Sequence, residues 1–242
     1  MTRRILLLAG SAEARRIAVA LRDEGAVVQA LVSEPPRGPD PMPVPCRLTA
    51  FDDPGRLAAE MASVDAVIDA SHGFDGLMSR TGHAAALIAG RPFVSLSRPG
   101  WGLEAANWRE VPDVAAAMPL IGTGARVFSA TGWDSLPQYR AFRGARLLLR
   151  QTTRHGRVPP YEFVEPVFGN PPFDAAQEEA LFRDLRVDML ICRNLGGRPS
   201  RPKLDAALAL DLPVILVARP ALPEDARVFT EVEAVLDWVA AL

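Results

Sequence analysis

Cysteine is nearly absent from this chain of 242 residues: Cys46 and Cys192 stand alone and far apart. That excludes a disulfide framework and a zinc-binding cysteine pair. Histidine is almost as scarce, and His72, His83 and His155 show neither Glu-x-x-His nor His-x-x-x-His spacing, so no metal is expected. No Gly-x-Ser-x-Gly elbow occurs, and Cys192 lies in an apolar run, which leaves nucleophilic catalysis without support. No Walker lysine follows Gly10, which removes the P-loop route to phosphoryl transfer. No apolar run reaches the length of a membrane span, and Arg3-Arg4 leads into a short strand-like run rather than a signal peptide. A cytoplasmic protein with no membrane partner is the expectation.

Lysine is the other scarcity. Of 27 basic residues only Lys203 is a lysine. This usage has the look of codon bias, or it marks one place where a compact point charge is wanted instead of a guanidinium fork. The net charge of −2 speaks against general nucleic-acid binding. Acidic residues are also missing locally. Between Ser135 and Tyr161 there is no Asp or Glu but there are six arginines: Arg140, Arg143, Arg146, Arg150, Arg154 and Arg157. A second acid-free run, Met189 to Leu204, holds Arg193, Arg198, Arg201 and Lys203. These are either scattered solvated charges or a positive basin suited to a ligand with many carboxylates.

What is present is led by the stretch from Ile5 to Arg16. An apolar run turns at Gly10-Ser11 and changes to helical periodicity, with Ile17, Ala20 and Leu21 on one face. A buried strand, a small-residue turn and a helix start make an anion site. The full G-x-G-x-x-G fingerprint is absent, and an ordinary first βα turn would look the same. The alternation then continues. Strands are expected at Val27–Val32, near Val44–Leu48, at Asp65–Ala70 and at Phe93–Ser97. Helices are expected from Ala12 to Asp23, from Asp53-Pro54 to Ala62, and from Asp75 through Ile88. The pattern loosens around Trp108 to Pro119 and restarts with strands at Val127–Ala130, Leu147–Arg150, Glu162–Val167, Asp188–Cys192 and Pro213–Val217. A short helix from Leu136, helices at Asp174–Leu185 and Lys203–Leu210, and a closing helix at Thr230–Ala241 complete it. This reads as an α/β protein of two Rossmann-like domains with parallel sheets, residues 1–122 and 123–242, with the boundary near Gly122-Thr123-Gly124.

Four strand ends carry small or hydrogen-bonding residues: Gly10-Ser11, Ser71-His72, Thr131-Gly132 and Asn194-Leu195-Gly196-Gly197. Carboxyl edges of parallel strands are where open α/β sheets bind ligands, so the four suggest a shared groove in the cleft between the domains. Ser33 ends the second strand. Arg37, in the Pro-rich loop behind it, reads either as a contact to a ribose 2′-phosphate or as an exposed loop charge, and Glu34 opposes the first reading.

These pieces together resemble the precorrin-6A reductase family of cobalamin biosynthesis. Gly10-Ser11-Ala12-Glu13-Ala14-Arg15 is similar to its Gly-Gly-Thr-Thr-Glu-Ala-Arg opening, and Asp69-Ala70-Ser71-His72-Gly73-Phe74 to its Asp-Ala-Thr-His-Pro-Phe. Arg98-Pro99 with Trp101 resembles its Arg-Pro-x-Trp. Asn194-Leu195-Gly196-Gly197, Lys203-Leu204-Asp205-Ala206-Ala207 and Arg219-Pro220 resemble its ending. Ala9, Gly73 and Leu195 depart from it, and Leu195 loses a hydroxyl donor. The resemblance implies reduction of the precorrin-6A macrocycle to precorrin-6B by NADPH, with cofactor and tetrapyrrole between two Rossmann-like domains. It implies that Gly10, Ser11 and Ala12 hold cofactor phosphate and that Ser33 and Arg37 approach the adenosine ribose. Ser71 and His72 then lie near the nicotinamide or substrate, with His72 as the candidate proton donor or, alternatively, a loop-ordering residue. Thr131, Gly132, Asn194, Gly196 and Gly197 complete the groove, and Lys203 meets a cofactor phosphate or a substrate carboxylate. A monomer or small homo-oligomer is expected. The alternatives are a cobalt-precorrin-6A reductase, a non-catalytic dinucleotide sensor, and a nucleotide-sugar enzyme of the two-lobed Rossmann type.

Overall fold

The computed structural model describes residues 2–35 and 41–242, so the expectation for Arg37 lies outside the described residues. The chain lays down β1 (Arg4–Ala9), α1 (Ala12–Asp23), β2 (Val27–Val32), β3 (Cys46–Leu48), α2 (Pro54–Met61), β4 (Ala66–Ala70), α3 (Gly76–Ala89) and β5 (Phe93–Leu96). It continues with β6 (Trp108–Val111), α4 (Val114–Ala117), β7 (Arg126–Ala130), β8 (Arg146–Gln151), β9 (Val164–Phe168), α5 (Ala175–Asp184), β10 (Met189–Arg193), α6 (Pro202–Ala209) and β11 (Val214–Val217). It ends with β12 (Arg227–Phe229) and α7 (Val232–Ala240). The turn after β7, expected as a short helix from Leu136, is a 3₁₀ segment beginning at Trp133.

There are two compact units, Met1–Pro99 with Pro220–Leu242, and Gly100–Arg219. The expected single boundary near Gly122 is therefore displaced and doubled. Strand pairing is the reason. The first sheet has the order β12-β5-β4-β1-β2-β3, the second β6-β11-β10-β7-β8-β9, and every pairing is parallel. Each is the third-second-first-fourth-fifth-sixth order of dinucleotide-binding sheets. The sixth strand is exchanged. β12, after the second series, pairs with β5 of the first, and β6, before the second series begins, pairs with β11.

In the first unit β1 is buried on both faces and its side chains alternate. Ile5, Leu7 and Ala9 join Ile17, Leu21 and Val235, from α1 and α7, on one face. Leu6 and Leu8 join Leu57, Met61, Met78 and Ala85, from α2 and α3, on the other. A Cβ on Gly82 would stand 2.2 Å from Leu8 Cδ1, so this glycine lets α3 lie close against the sheet. Helix ends follow local chemistry. Ser11 caps α1, Asp75 caps α3, and Gly90 ends α3 at φ 62°. Asp174 and Gln177 form a reciprocal capping box on α5. In the second unit Phe128, Leu148, Leu190 and Leu216 of the sheet pack with Phe182 and Leu204 of α5 and α6.

The return of the chain to its first unit is testable at α7. Val235 is fully buried there. Val235→Asp places an unpaired carboxylate in that core and should lower stability by on the order of 3 kcal/mol in urea denaturation. An unchanged midpoint would contradict the packing of α7 against α1.

Candidate functional site

In the first sheet the chain leaves β1 and β4 in opposite directions, so their carboxyl ends border the topological switch point. The strands lie side by side, with Ala9 opposite Ala70. The turns beyond them are in contact. A Cβ on Gly10 would stand 2.6 Å from the backbone nitrogen of His72 and 3.3 Å from the carbonyl carbon of Ser71. Only glycine permits that approach. Ser11 then fastens the two turns: its hydroxyl donates to Ala70 O at 2.8 Å and accepts from Ala14 N at 3.2 Å. Ala12 opens α1, whose first-turn N–H groups lack intrahelical acceptors.

A buried carboxylate holds the β4 turn from below. Asp69 is 2% exposed; its Oδ1 accepts from Ser71 N at 3.1 Å and its Oδ2 from Ser95 Oγ at 3.0 Å. The Ser71 hydroxyl shares a hydrogen bond with Ser79 Oγ at 3.2 Å. His72 Nδ1 accepts from Phe74 N at 3.2 Å, which puts the proton of a neutral ring on Nε2. Asp75 accepts from Met78 N through Oδ1 and from Ser33 Oγ through Oδ2. Thus Gly10, Ser11, Ala12, Ser71 and His72 come together, and Ser33 is tied to the same rim through Asp75. Beside the carboxyl end of β2 is an apolar cavity of about 420 Å³, lined by Val32, Pro35, Pro41, Met42, Val44, Cys46 and Leu48. Its volume and apolar lining are in the range of small-molecule clefts.

One charge needs an account. Glu13, in the first turn of α1, would repel a phosphate if left alone. Arg98 Nη1 donates to Glu13 Oε1 at 2.7 Å and neutralises it. The first unit therefore offers a turn without Cβ obstruction, a helix start and a neighbouring apolar cavity, parts that are able to take a dinucleotide.

The second sheet has its own switch point between β7 and β10, but its residues face inward. Thr131 is fully buried, and its hydroxyl joins those of Ser129 at 2.8 Å, Ser135 at 2.7 Å and Tyr139 at 3.1 Å. Burial pushes the Tyr139 hydroxyl up to about 12, against the opposing pull of its Ser129 and Thr131 hydrogen bonds. Ser135 Oγ donates to Gly132 O at 2.7 Å, so the network braces Gly132, whose φ is 88°. Arg193 lies over that glycine; a Cβ there would meet its guanidinium at 3.4 Å. Asn194 is also turned inward. Its Oδ1 accepts from Trp101 N at 2.7 Å, and its Nδ2 donates to Trp101 O at 3.1 Å and Glu110 Oε1 at 2.8 Å. Trp101 Nε1 donates in turn to Gly197 O at 3.2 Å. Gly196 and Gly197 take φ of 65° and 72°, conformations that favour glycine. Thr131 and Asn194, expected at a ligand, thus hold the turn after β7 and the segment around Trp101.

Lys203 donates to Ser200 O and lies 6.0 Å from the Trp101 ring centre. Burial pulls its pKa below the ordinary lysine value, opposed by nearby Cys192 and Glu178. Glu178, 2% exposed, is shifted up by burial and pairs with Arg150 at 2.6 Å. Sequence reasoning gave Asp69 and Arg98 no role of their own, although both sit in motifs, Asp-Ala-Ser-His and Arg-Pro-x-Trp, that were the available signal. Arg193 stood out only as a member of the acid-free run Met189 to Leu204, directly before Asn194. No cluster of three or more potential metal ligands occurs among the described residues. No described helix is long and apolar enough to cross a membrane.

Comparison with known proteins identifies the family and the fold. The family model described as precorrin-6x reductase CbiJ/CobK matches residues 4–240. A precorrin-6A reductase of Rhodococcus erythropolis is 34% identical over 246 aligned positions, covering 99% of this chain and 98% of that one. A cobalt-precorrin-6A reductase of Methanothermobacter thermautotrophicus is 30% identical and covers 78% of this chain and 67% of its own. A solved structure of CobK precorrin-6A reductase superposes with a TM-score of 0.84 at 30% identity, covering 100% of this chain and 97% of that one.

Two substitutions separate ligand contact from scaffolding. Gly10→Ala should weaken dinucleotide binding by about tenfold or more, since each 1.4 kcal/mol of displacement costs that factor. Isothermal titration reads it, and unchanged affinity would remove the turn from the site. Asn194→Ala leaves Trp101 N–H and O without partners and should cost about 1–3 kcal/mol of stability. It should leave dinucleotide affinity as it is; a binding defect without a stability loss would make Asn194 a ligand instead.

Proposed function

The chain belongs to the precorrin-6x reductase family CbiJ/CobK, and on that footing we propose that it reduces precorrin-6A to precorrin-6B with NADPH. The observation that carries this is the Gly10–His72 approach at the first switch point: a phosphate turn and a strand end bearing an imidazole, fastened by Ser11. When bound, the reduced nicotinamide supplies the hydride. The balance is one hydride and one proton added to one double bond of the macrocycle, with NADPH leaving as NADP⁺.

The residues of the chain do the rest. Gly10, Ser11 and Ala12 offer backbone N–H groups and the positive end of α1 to the pyrophosphate. Arg98 keeps Glu13 from opposing it. Ser33 and the cavity beside β2 receive the adenosine, and Arg37 meets the 2′-phosphate that distinguishes NADPH from NADH. Ser71 and His72 stand nearest the reacting groups, and His72 offers its Nε2–H as a hydrogen-bond donor to the substrate or nicotinamide. Gly132, Gly196 and Gly197 shape the turns of the second unit. Lys203 keeps further N–H donors for an anionic group of cofactor or substrate. Cobalt-free precorrin-6A is favoured because the relative matching nearly the full chain bears that name, whereas the cobalt-precorrin relative covers less of it.

Anaerobic incubation of the purified protein with precorrin-6A and NADPH tests the reading. The expected result is equimolar loss of reduced nicotinamide and gain of precorrin-6B, with kcat/KM for NADPH about tenfold or more above that for NADH. No NADPH consumption with authentic substrate would overturn it.

A further inference from the structure

The six arginines of the acid-free stretch do not share one place. Arg140, Arg143 and Arg146 lie before β8 or at its amino end, whereas Arg150, Arg154 and Arg157 lie at or beyond its carboxyl end. Arg150 is committed: Glu178 pairs with it, its guanidinium lies 4.3 Å from the Phe173 ring centre and 5.0 Å from that of Phe128, and Gly169 has no room for a Cβ beside it. Arg154 and Arg157 differ. Both are exposed, and neither has a carboxylate partner among the described residues. The nearest acids in sequence, Asp134 and Glu162, are themselves exposed.

Aromatic rings hold these two guanidiniums in place of acids. Arg157 lies over Trp133 at 5.7 Å and Arg154 over Phe168 at 5.5 Å. His155 stands between the two rings, edge to face, at 4.7 Å from Trp133 and 5.6 Å from Phe168. The imidazole is fixed as well: Nδ1 accepts from Arg157 N at 3.2 Å, and Nε2 bonds Gln151 Oε1 at 3.2 Å. Trp133 follows β7, His155 follows β8 and Phe168 ends β9. These three strands are parallel neighbours, so the row runs along the carboxyl edge of the second sheet.

A ring face orients a guanidinium without cancelling its charge. Side-chain freedom is thereby reduced before any ligand arrives, and the fork stays open for bidentate pairing. The forks rest on different rings on either side of His155, which suits two anionic groups on one ligand better than a single phosphate. We propose that the loop bearing Arg154, His155 and Arg157 is a two-pronged carboxylate grip, racked on Trp133 and Phe168, for a polycarboxylate ligand. It rests on the reductase reading in one respect: the polycarboxylate is the acetate- and propionate-bearing rim of the tetrapyrrole.

The test uses the full chain with both arginines replaced, Arg154→Ala with Arg157→Ala, beside a charge-retaining Arg154→Lys, Arg157→Lys pair. The first readout is fluorescence anisotropy of uroporphyrin, an octacarboxylate tetrapyrrole, at two salt concentrations. The second is the KM for precorrin-6A and for NADPH. The alanine pair should weaken uroporphyrin binding about tenfold or more per guanidinium and flatten its salt dependence. It should raise the KM for precorrin-6A alike and leave that for NADPH unchanged, and the lysine pair should recover part of the loss. Uroporphyrin binding equal in wild type and alanine pair, or no binding to either, overturns the grip. Wild-type protein that binds uroporphyrin through these arginines yet fails to oxidise NADPH with precorrin-6A would instead overturn the reductase reading and leave the grip standing.

Discussion

Backbone meeting backbone at Gly10 and His72 is the constraint on which the rest of the first unit depends. With a methyl group on Gly10 the β1 and β4 turns could not close to their observed separation. The Ser11 hydroxyl bond to Ala70 O spans the same close approach. Asp69 supports the contact from beneath by taking the Ser71 N–H and the Ser95 hydroxyl. A buried carboxylate with two donors is costly unless both bonds are kept, so the turn is held rigidly. Rigidity here has a chemical use, because a hydride donor must be presented in one orientation.

The exchanged sixth strands add a second constraint. β12 belongs by pairing to the first sheet and β6 to the second, although each lies nearer in sequence to the other series. The first sheet cannot complete its strand order from one continuous stretch of chain, because β12 returns to it after the whole second series, whereas β6 to β11 of the second sheet are consecutive. The first unit also needs α7, whose Val232, Val235 and Val239 share a core with α1. The two units have the same strand order, yet their switch points differ in chemistry. The first is open at Gly10 and has a neutralised helix start. In the second, four hydroxyls are spent on one another and Arg193 lies over Gly132.

Much of the fold was legible wherever the determining contact is local. The unbroken apolar run Ile5–Leu8 was legible as a buried strand, and Asp174 as the start of a helix; the Gln177 half of that capping box came with the structure. Gly25 and Gly90 marked helix ends. The strands at β6 and β12 were not legible as members of their sheets. β12 is a three-residue edge segment with mostly exposed side chains, and its existence is a matter of pairing with β5, far away in sequence. The domain boundary was misplaced for the same reason. At the candidate site, the meeting of Gly10 and Ser11 with Ser71 and His72 was legible because strand ends and turn residues show in the sequence. The inward orientation of Thr131 and Asn194 could not, because it depends on Tyr139 and Trp101 arriving from elsewhere. The acid-free arginine run was visible, but its division between the two ends of β8 was not.

A crystal structure with NADP⁺ bound tests the central claim most directly. The account predicts the diphosphate within hydrogen-bond distance of the backbone N–H groups at the start of α1, against Gly10, with the adenine in the cavity lined by Val32, Met42 and Val44. A diphosphate bound away from Gly10 and the α1 start, at the Gly132 turn of the second unit for example, would contradict it.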